Sequence, residues 1–168
     1  LVRGVQPATA EYAAGTPNKY LITKPLLYHQ IRWLLTSRLV EITGANLNFD
    51  ISWITQKWGI WCENFGYDTT IIGSLLDENR SNSLNTHAKL YSDIGGYDDE
   101  FNAAVDKSKM RDQLLDNPDR FLIYAGGDTD AQLQVAKKMR AELSTTGRVY
   151  NFYETIMRKS IPAFALMQ

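Results

Sequence analysis

The chain predicts a mixed α/β or α+β domain, with a few short strands near its start and helices over most of the rest. Three observations predict it. The 168 residues are 44% hydrophobic and 22% charged, the composition of one ordinary globular domain with a real core. Short β-branched runs occur in the first part of the chain. Apolar residues at helical spacing dominate after them. A formal net charge of −1 excludes a globally basic nucleic-acid coat, though not a local phosphate-binding groove. No stretch approaches the roughly 18 apolar residues of a membrane span. The single cysteine, Cys62, excludes an intramolecular disulfide framework and fits a reducing compartment. Leu1 is not followed by the charged head and apolar run of a signal peptide. The last predicted helix stops at Gln168 without a cap. The expectation from these ends is a fragment of a longer protein, with native sequence missing on both sides.

The elements follow in order. Residues 1–19, rich in Ala, Gly, Thr and Pro, read as irregular or edge structure, and 20–23 as a short strand. Pro25 suits the first residue of a helix, where its missing N–H would be unpaired anyway. Leu27, Ile31, Leu34 and Leu35 give that helix an apolar stripe. Residues 38–43 read as a buried strand ended by Gly44. A helix after Asp50 carries Ile51, Ile54 and Trp58 on one side and stops at Gly59. Residues 68–77 predict a helix capped by Asp68, followed by a loop at 78–83. Asn82 is expected to cap the next helix, which carries Leu84, Ala88 and Tyr91 and ends near Gly95-Gly96. The charged, glycine-bearing stretch 93–112 is the expected flexible segment. A long helix runs from about 119 to 143, and Gly147 separates it from an amphipathic helix over 149–167.

Two segments carry candidate chemistry. In Gly44-Ala45-Asn46-Leu47-Asn48-Phe49-Asp50 a strand breaks at glycine and offers an amide and a carboxylate where a helix begins. An acid there can point into a cleft, or Asp50 can simply cap the helix from Ile51; local pattern alone favours the cap. In Tyr124-Ala125-Gly126-Gly127-Asp128, a helical reading puts Tyr124 and Asp128 on one face. A phenol beside a carboxylate can orient a water next to a metal-bound phosphate. The two glycines cost roughly 1 kcal/mol each in a helix, and make sense where a ligand or backbone comes close. The competing reading ends a helix at Gly126-Gly127 and opens another with the capping box Thr129-Asp130-Ala131-Gln132. The remaining candidates read as structural. His29 and His87 lack metal spacing and are expected at the surface or boundary. Cys62 is a packing residue. Trp33, Trp53, Trp58 and Trp61 are mostly core or boundary, and Lys137, Lys138 and Arg140 form a solvated helix face.

The segments GANLNFDISWI, YDTTIIGSLLD, NSLNTHAKLY, YAGGDTDAQLQVAKKM and NFYETIMRKSIPAFALMQ stand in that order between residues 44 and 168, within a similarity that covers roughly 25–168. Together they resemble the 3′–5′ proofreading exonuclease domain of family A DNA polymerases, the bacterial polymerase I type and its phage relatives. The first is similar to the family's second exonuclease motif and the fourth to its third, Tyr-x-x-x-Asp. The last looks like the helix that leads out toward the polymerase domain. Each motif alone is weak, and five in order are specific.

The resemblance implies a ribonuclease-H-like α/β fold, its sheet incomplete because the N-terminal strands are truncated. It makes 1–168 a single exonuclease-like domain: an edge region at 1–24, a core at 25–148 and an exit helix at 149–168. It further implies two-metal hydrolysis of the 3′-terminal phosphodiester of single-stranded DNA, with four carboxylates holding two Mg²⁺ or Mn²⁺ ions. On the matching positions Asp50 and Asp128 would be catalytic metal ligands, and Tyr124 would position the attacking water. Asn46 and Phe49 would hold the single-stranded 3′ end by hydrogen bond and by ring contact. The implied partners are that 3′ end and the rest of a polymerase chain, with no membrane, in the cytoplasm of a bacterial cell or phage-infected host. The family's first motif, Asp-x-Glu, has no match before Asp50, where the acids are Glu11 and Glu41. The only Asp-x-Glu, at Asp98-Asp99-Glu100, reads as a solvated charge run. The expectation is that the first motif lies upstream of Leu1 and that this chain by itself is weakly active or inactive. A ribonuclease D-type exoribonuclease shares these motifs. A non-catalytic exonuclease-like scaffold is the alternative from another class.

Overall fold

The structure is a computed structural model that describes residues 24–167. The edge region at 1–19 and the strand expected at 20–23 lie outside the described residues. From Lys24 the order is α1 (Lys24–Thr36), β1 (Ile42–Gly44), α2 (Leu47–Trp58), β2 (Phe65–Asp68), α3 (Thr69–Leu76), α4 (Leu84–Tyr91) and α5 (Asp99–Ala104). Then come α6 (Met110–Asp116), α7 (Pro118–Ser144), α8 (Arg148–Phe152) and α9 (Arg158–Leu166). A π turn at Tyr153–Met157 joins α8 to α9. The described chain is helix-rich, with a small two-stranded parallel sheet. None of its helices is long and apolar enough to cross a membrane.

β1 is shorter than the sequence predicts. The Val40 N–H donates to Ser37 O, and the Leu39 N–H to Ser37 Oγ. These groups close a local turn instead of a ladder, and Leu39 is left 93% exposed. β2 has no counterpart in the sequence reading, yet Gly66, Tyr67 and Asp68 are buried in it. β1 and β2 pair in parallel, Ile42 opposite Phe65 and Gly44 opposite Asp68, with an irregularity between. Parallel neighbours need a crossover, and α2 supplies it.

Both strand ends meet at the buried Asp68 carboxylate, which is 1% exposed. Its Oδ1 accepts from Thr70 N (2.9 Å) and Ile71 N (3.3 Å), capping α3 as expected. The same oxygen accepts from Asn46 N (3.2 Å), and Oδ2 from Leu47 N (2.8 Å), at the start of α2. One carboxylate thus satisfies orphan donors of two helices, and two positive helix ends face its charge. This moves the start of α2 back from Ile51 to Leu47. Asn46, in the left-handed region at φ 62°, turns the chain inward, and Asp68 supplies the acceptor that a cap would. The Asp68 N–H in turn donates to the Tyr153 hydroxyl (2.9 Å), which donates to Gly66 O (3.3 Å).

The core has two apolar clusters. Tyr67, Ile72, Val135, Met139, Leu143 and Tyr153 join β2, α3, α7 and the π turn. Leu47, Ile51, Cys62, Ile161 and Ala165 join α2 to α9, so Cys62 is the packing residue the sequence predicts. α7 runs unbroken for 27 residues. Gly126-Gly127 therefore ends no helix and Thr129 opens none: Thr129 Oγ1 donates to Ala125 O (2.8 Å) within α7. Gly59 stops α2 at φ 64°, as read. α4 is capped by Ser83 rather than Asn82: Ser83 Oγ accepts from Thr86 N (3.2 Å), while Asn82 Nδ2 donates to Ser74 Oγ (2.7 Å). α4 ends at Tyr91, and the 93–112 stretch contains α5 and the start of α6.

Asp68→Ala leaves four backbone donors without their acceptor. It is expected to lower the unfolding free energy by about 3–5 kcal/mol, a lost cap plus stranded buried donors. Asp68→Asn keeps an acceptor oxygen and is expected to lose less. Urea denaturation followed by circular dichroism measures both; an alanine variant as stable as the parent would refute the role.

Candidate active site

Asp50 sits in the first turn of α2, as a helix residue and not as its cap. Asp128 sits in the middle of α7. Both line one open cleft of about 560 Å³, together with Thr43, Gly44 and Ala45 at the end of β1 and Thr129 and Gln132 on α7. Thr69 Oγ1, at the start of α3, donates to Gln132 Oε1 (3.2 Å) and ties α7 to the sheet end. Asp50 is accessible to solvent, but the surrounding protein withdraws it from water and pushes its pKa up. The negative charge of Asp68 pushes it further.

Asn46 and Phe49 stand beside Asp50 without lining the cleft. Asn46 is exposed at the entry to α2, and Phe49 is 58% exposed on its first turn. Tyr124 lies one turn before Asp128, half-buried, with its ring stacked on Phe101 (centroids 3.9 Å apart, planes at 12°). Burial, and then the Asp128 charge beside it, push its pKa up to about 12. Near neutral pH the phenol keeps its proton, so it can donate a hydrogen bond but cannot act as a base. It opens onto a second cavity, of about 290 Å³, that it shares with Tyr97, Phe101 and Arg120.

Sequence reasoning missed Tyr97. Its hydroxyl donates to Asp128 Oδ1, and its ring stacks on Tyr124 (6.4 Å, 27°). Burial, and then that hydrogen bond, push its pKa up. The one trace in the sequence is Gly127: a Cβ there would lie 2.6 Å from Tyr97 Cδ2. At Gly126 a Cβ would meet nothing within 4 Å. Only one of the two helix glycines makes room for a neighbour.

Other expectations need correction. Asp98 is not solvated: it is 7% exposed and accepts from Asn85 Nδ2 (2.6 and 2.7 Å) and Asn102 Nδ2 (2.8 Å). Asp99 and Glu100 are exposed, as read. His87 is buried rather than peripheral, because Gly73 leaves space for its ring, and burial pulls its pKa down. His29 is exposed. Trp33, Trp53 and Trp58 are 62%, 46% and 39% exposed, so they are not core, while Trp61 is half-buried. Lys137 and Lys138 are solvated. Arg140 also pairs with Glu41 (3.3 Å) and covers the Tyr67 ring (4.6 Å).

No group of three His, Cys, Asp or Glu side chains placed to hold a metal occurs among the described residues. The cleft offers two carboxylates. Their hard oxygens are of the kind that ligates divalent cations, and two carboxylates do not make a closed protein cage.

A family model of 3′–5′ exonucleases, of the DNA polymerase A type, matches residues 5–144. The chain belongs to this family. No curated protein and no solved structure matches it. Exonucleases of this family act on nucleic acid and generally use divalent metals, and the paired acids lie in a cleft of this exonuclease domain.

The raised pKa of Asp50 has a consequence for stability. Between the ordinary carboxylate pKa and the raised one, the folded exonuclease binds more protons than the unfolded chain. Above that window the charged Asp50 weakens folding. Asp50→Asn is therefore expected to unfold at a higher temperature than the parent near pH 7. The advantage is expected to disappear at about pH 3, where Asp50 is neutral in both states. Calorimetry across that range checks the sign; an asparagine variant that melts lower at neutral pH contradicts it.

Proposed function

We propose that this chain is the proofreading exonuclease domain of a family A DNA polymerase, with a ribonuclease-H-like fold. In this reading it removes 3′-terminal nucleotides from single-stranded DNA by metal-assisted hydrolysis. The supporting observation is that Asp50 and Asp128, from separate elements of an exonuclease-family chain, line one cleft.

Asp50 and Asp128 would hold Mg²⁺ or Mn²⁺ against the scissile phosphate. When bound, a divalent cation supplies charge neutralisation at the phosphate and lowers the pKa of an adjacent water. The chain's own residues do the rest. The negative charge gathered at Asp50 and Asp68 attracts a cation to the cleft. Tyr124 keeps its proton beside Asp128, and its hydroxyl would orient the attacking water. Asn46 and Phe49 hold the 3′ end at the rim, the amide by hydrogen bond and the ring by stacking, which tolerates any base. Water adds to phosphorus, the bond to the O3′ of the preceding nucleotide breaks, and a 5′-mononucleotide leaves.

Two carboxylates without DNA make a weak cation site. The isolated 168 residues are expected to bind Mg²⁺ weakly and to degrade single-stranded DNA little, and robust degradation would contradict this. In the polymerase that carries the chain, Asp50→Ala and Asp128→Ala are each expected to slow 3′-nucleotide release by ~100-fold or more. That is the upper range for losing even a supporting partner of a metal site. Unchanged 3′-end degradation in both variants overturns the assignment, and preferential degradation of RNA moves it to an exoribonuclease.

A further inference from the structure

We infer that Tyr97 is a positioning residue for Asp128: its hydroxyl holds one carboxylate oxygen so that the other faces a cation in the cleft. The inference rests on the metal role proposed for Asp128. An aspartate on a helix surface ordinarily moves among staggered rotamers. Asp128 does not have that freedom. The Tyr97 hydroxyl has one proton, and it is given to Oδ1. The carboxylate also lines the cleft, and the Tyr124 hydroxyl one turn earlier on α7 is a second phenol within its reach. Tyr97 does not line that cleft, so it acts through Asp128 and not on substrate.

The donor is itself held in place from three sides. Its ring lies in the notch at Gly127, where any Cβ would collide with it, and stacks on Tyr124. Its backbone N–H donates to Ile94 O (3.1 Å), within a turn that uses Gly96 at φ 88°. The next residue, Asp98, anchors the turn to α4 and α5 through Asn85 and Asn102. This assigns a use to the glycine inside α7 and to the buried acid of the chain's only Asp-x-Glu. A supporting partner of this kind orients a ligand and tunes its basicity, and its loss typically weakens metal binding ~10–100-fold.

A purely structural contact would reside in the ring, whereas positioning resides in the hydroxyl. Tyr97→Phe separates the two. The probe is Mn²⁺ alone, titrated into the 168-residue chain. Binding is read from paramagnetic broadening of the Asp50 and Asp128 carboxyl carbon signals, which registers weak association as well as strong. Thermal unfolding without metal monitors the fold. Tyr97→Phe is expected to need at least ~10-fold more Mn²⁺ for half-broadening while unfolding as the parent does. Gly127→Ala, which displaces the ring, is expected to match that loss, and Gly126→Ala, which meets nothing, to retain the parent's affinity. If Asp128→Asn weakens Mn²⁺ binding and Tyr97→Phe does not, the positioning role is wrong and the metal reading stands. If Asp128→Asn has no effect, the metal reading fails and the inference with it. Should Tyr97→Phe fail to fold, Gly127→Ala against Gly126→Ala decides: equal affinities overturn the role.

Discussion

A buried carboxylate that gathers four backbone N–H groups sets the geometry around the cleft. β1 and β2 are three and four residues long, too short for a two-stranded sheet to persist unaided. Asp68 compensates by gripping the beginnings of both helices that leave the strands. A buried ion of this kind is tolerable only when its lone pairs are filled, and charge-assisted bonds to backbone donors are among the stronger ones available. Its position fixes where the first turn of α2 lies, and so where Asp50 projects. The same charge makes Asp50 harder to ionise. Scaffold and site share one electrostatic centre.

The second acid is carried by an independent support. On α7, Ala131, Val135, Met139 and Leu143 recur every fourth residue and are buried, so one face of the helix is seated in the core. Asp128 lies one turn before that buried stripe begins. The cleft is therefore spanned by two separately anchored elements, α2 held by Asp68 and α7 held by apolar packing. Near the floor the Thr69 hydroxyl lies between Gln132 of α7 and the Gly44 carbonyl at the end of β1, which leads into α2.

What could be read in the chain was what acts over one or two turns. Asp68 as the cap of α3, Gly59 as the stop of α2 and the length of α7 all follow from residues adjacent in sequence. The paired motifs that suggest an exonuclease are equally local. β2 was hidden because Phe65-Gly66-Tyr67-Asp68 shows no alternation, and a strand covered on both faces need not alternate. The start of α2 was misplaced because its acceptor lies 22 residues away, on Asp68. Tyr97, Asp98 and His87 escaped for the same reason. Their burial depends on gaps left by Gly127 and Gly73 and on amides from other helices, and a glycine inside a helix does not say which distant ring will fill its gap. The exposed tryptophans err the other way: Trp58 falls on an apolar stripe, but α2 buries only the part of it nearest Ile51.

The π turn before α9 acts as a phase correction. Tyr153 must reach β2 while Ile161 and Ala165 reach α2, and all three are buried. At about 100° per residue, eight residues of unbroken α-helix would set Tyr153 and Ile161 about 80° apart. Absorbing one surplus residue in a wider turn reduces that offset to about 20°. A single rod can then serve two separate apolar clusters. Length in this stretch is consequently a matter of angular register: deleting one residue from the wide turn would leave plain α-helix with the same offset of about 20°, whereas adding one would swing the two inward faces about 100° apart from their present setting.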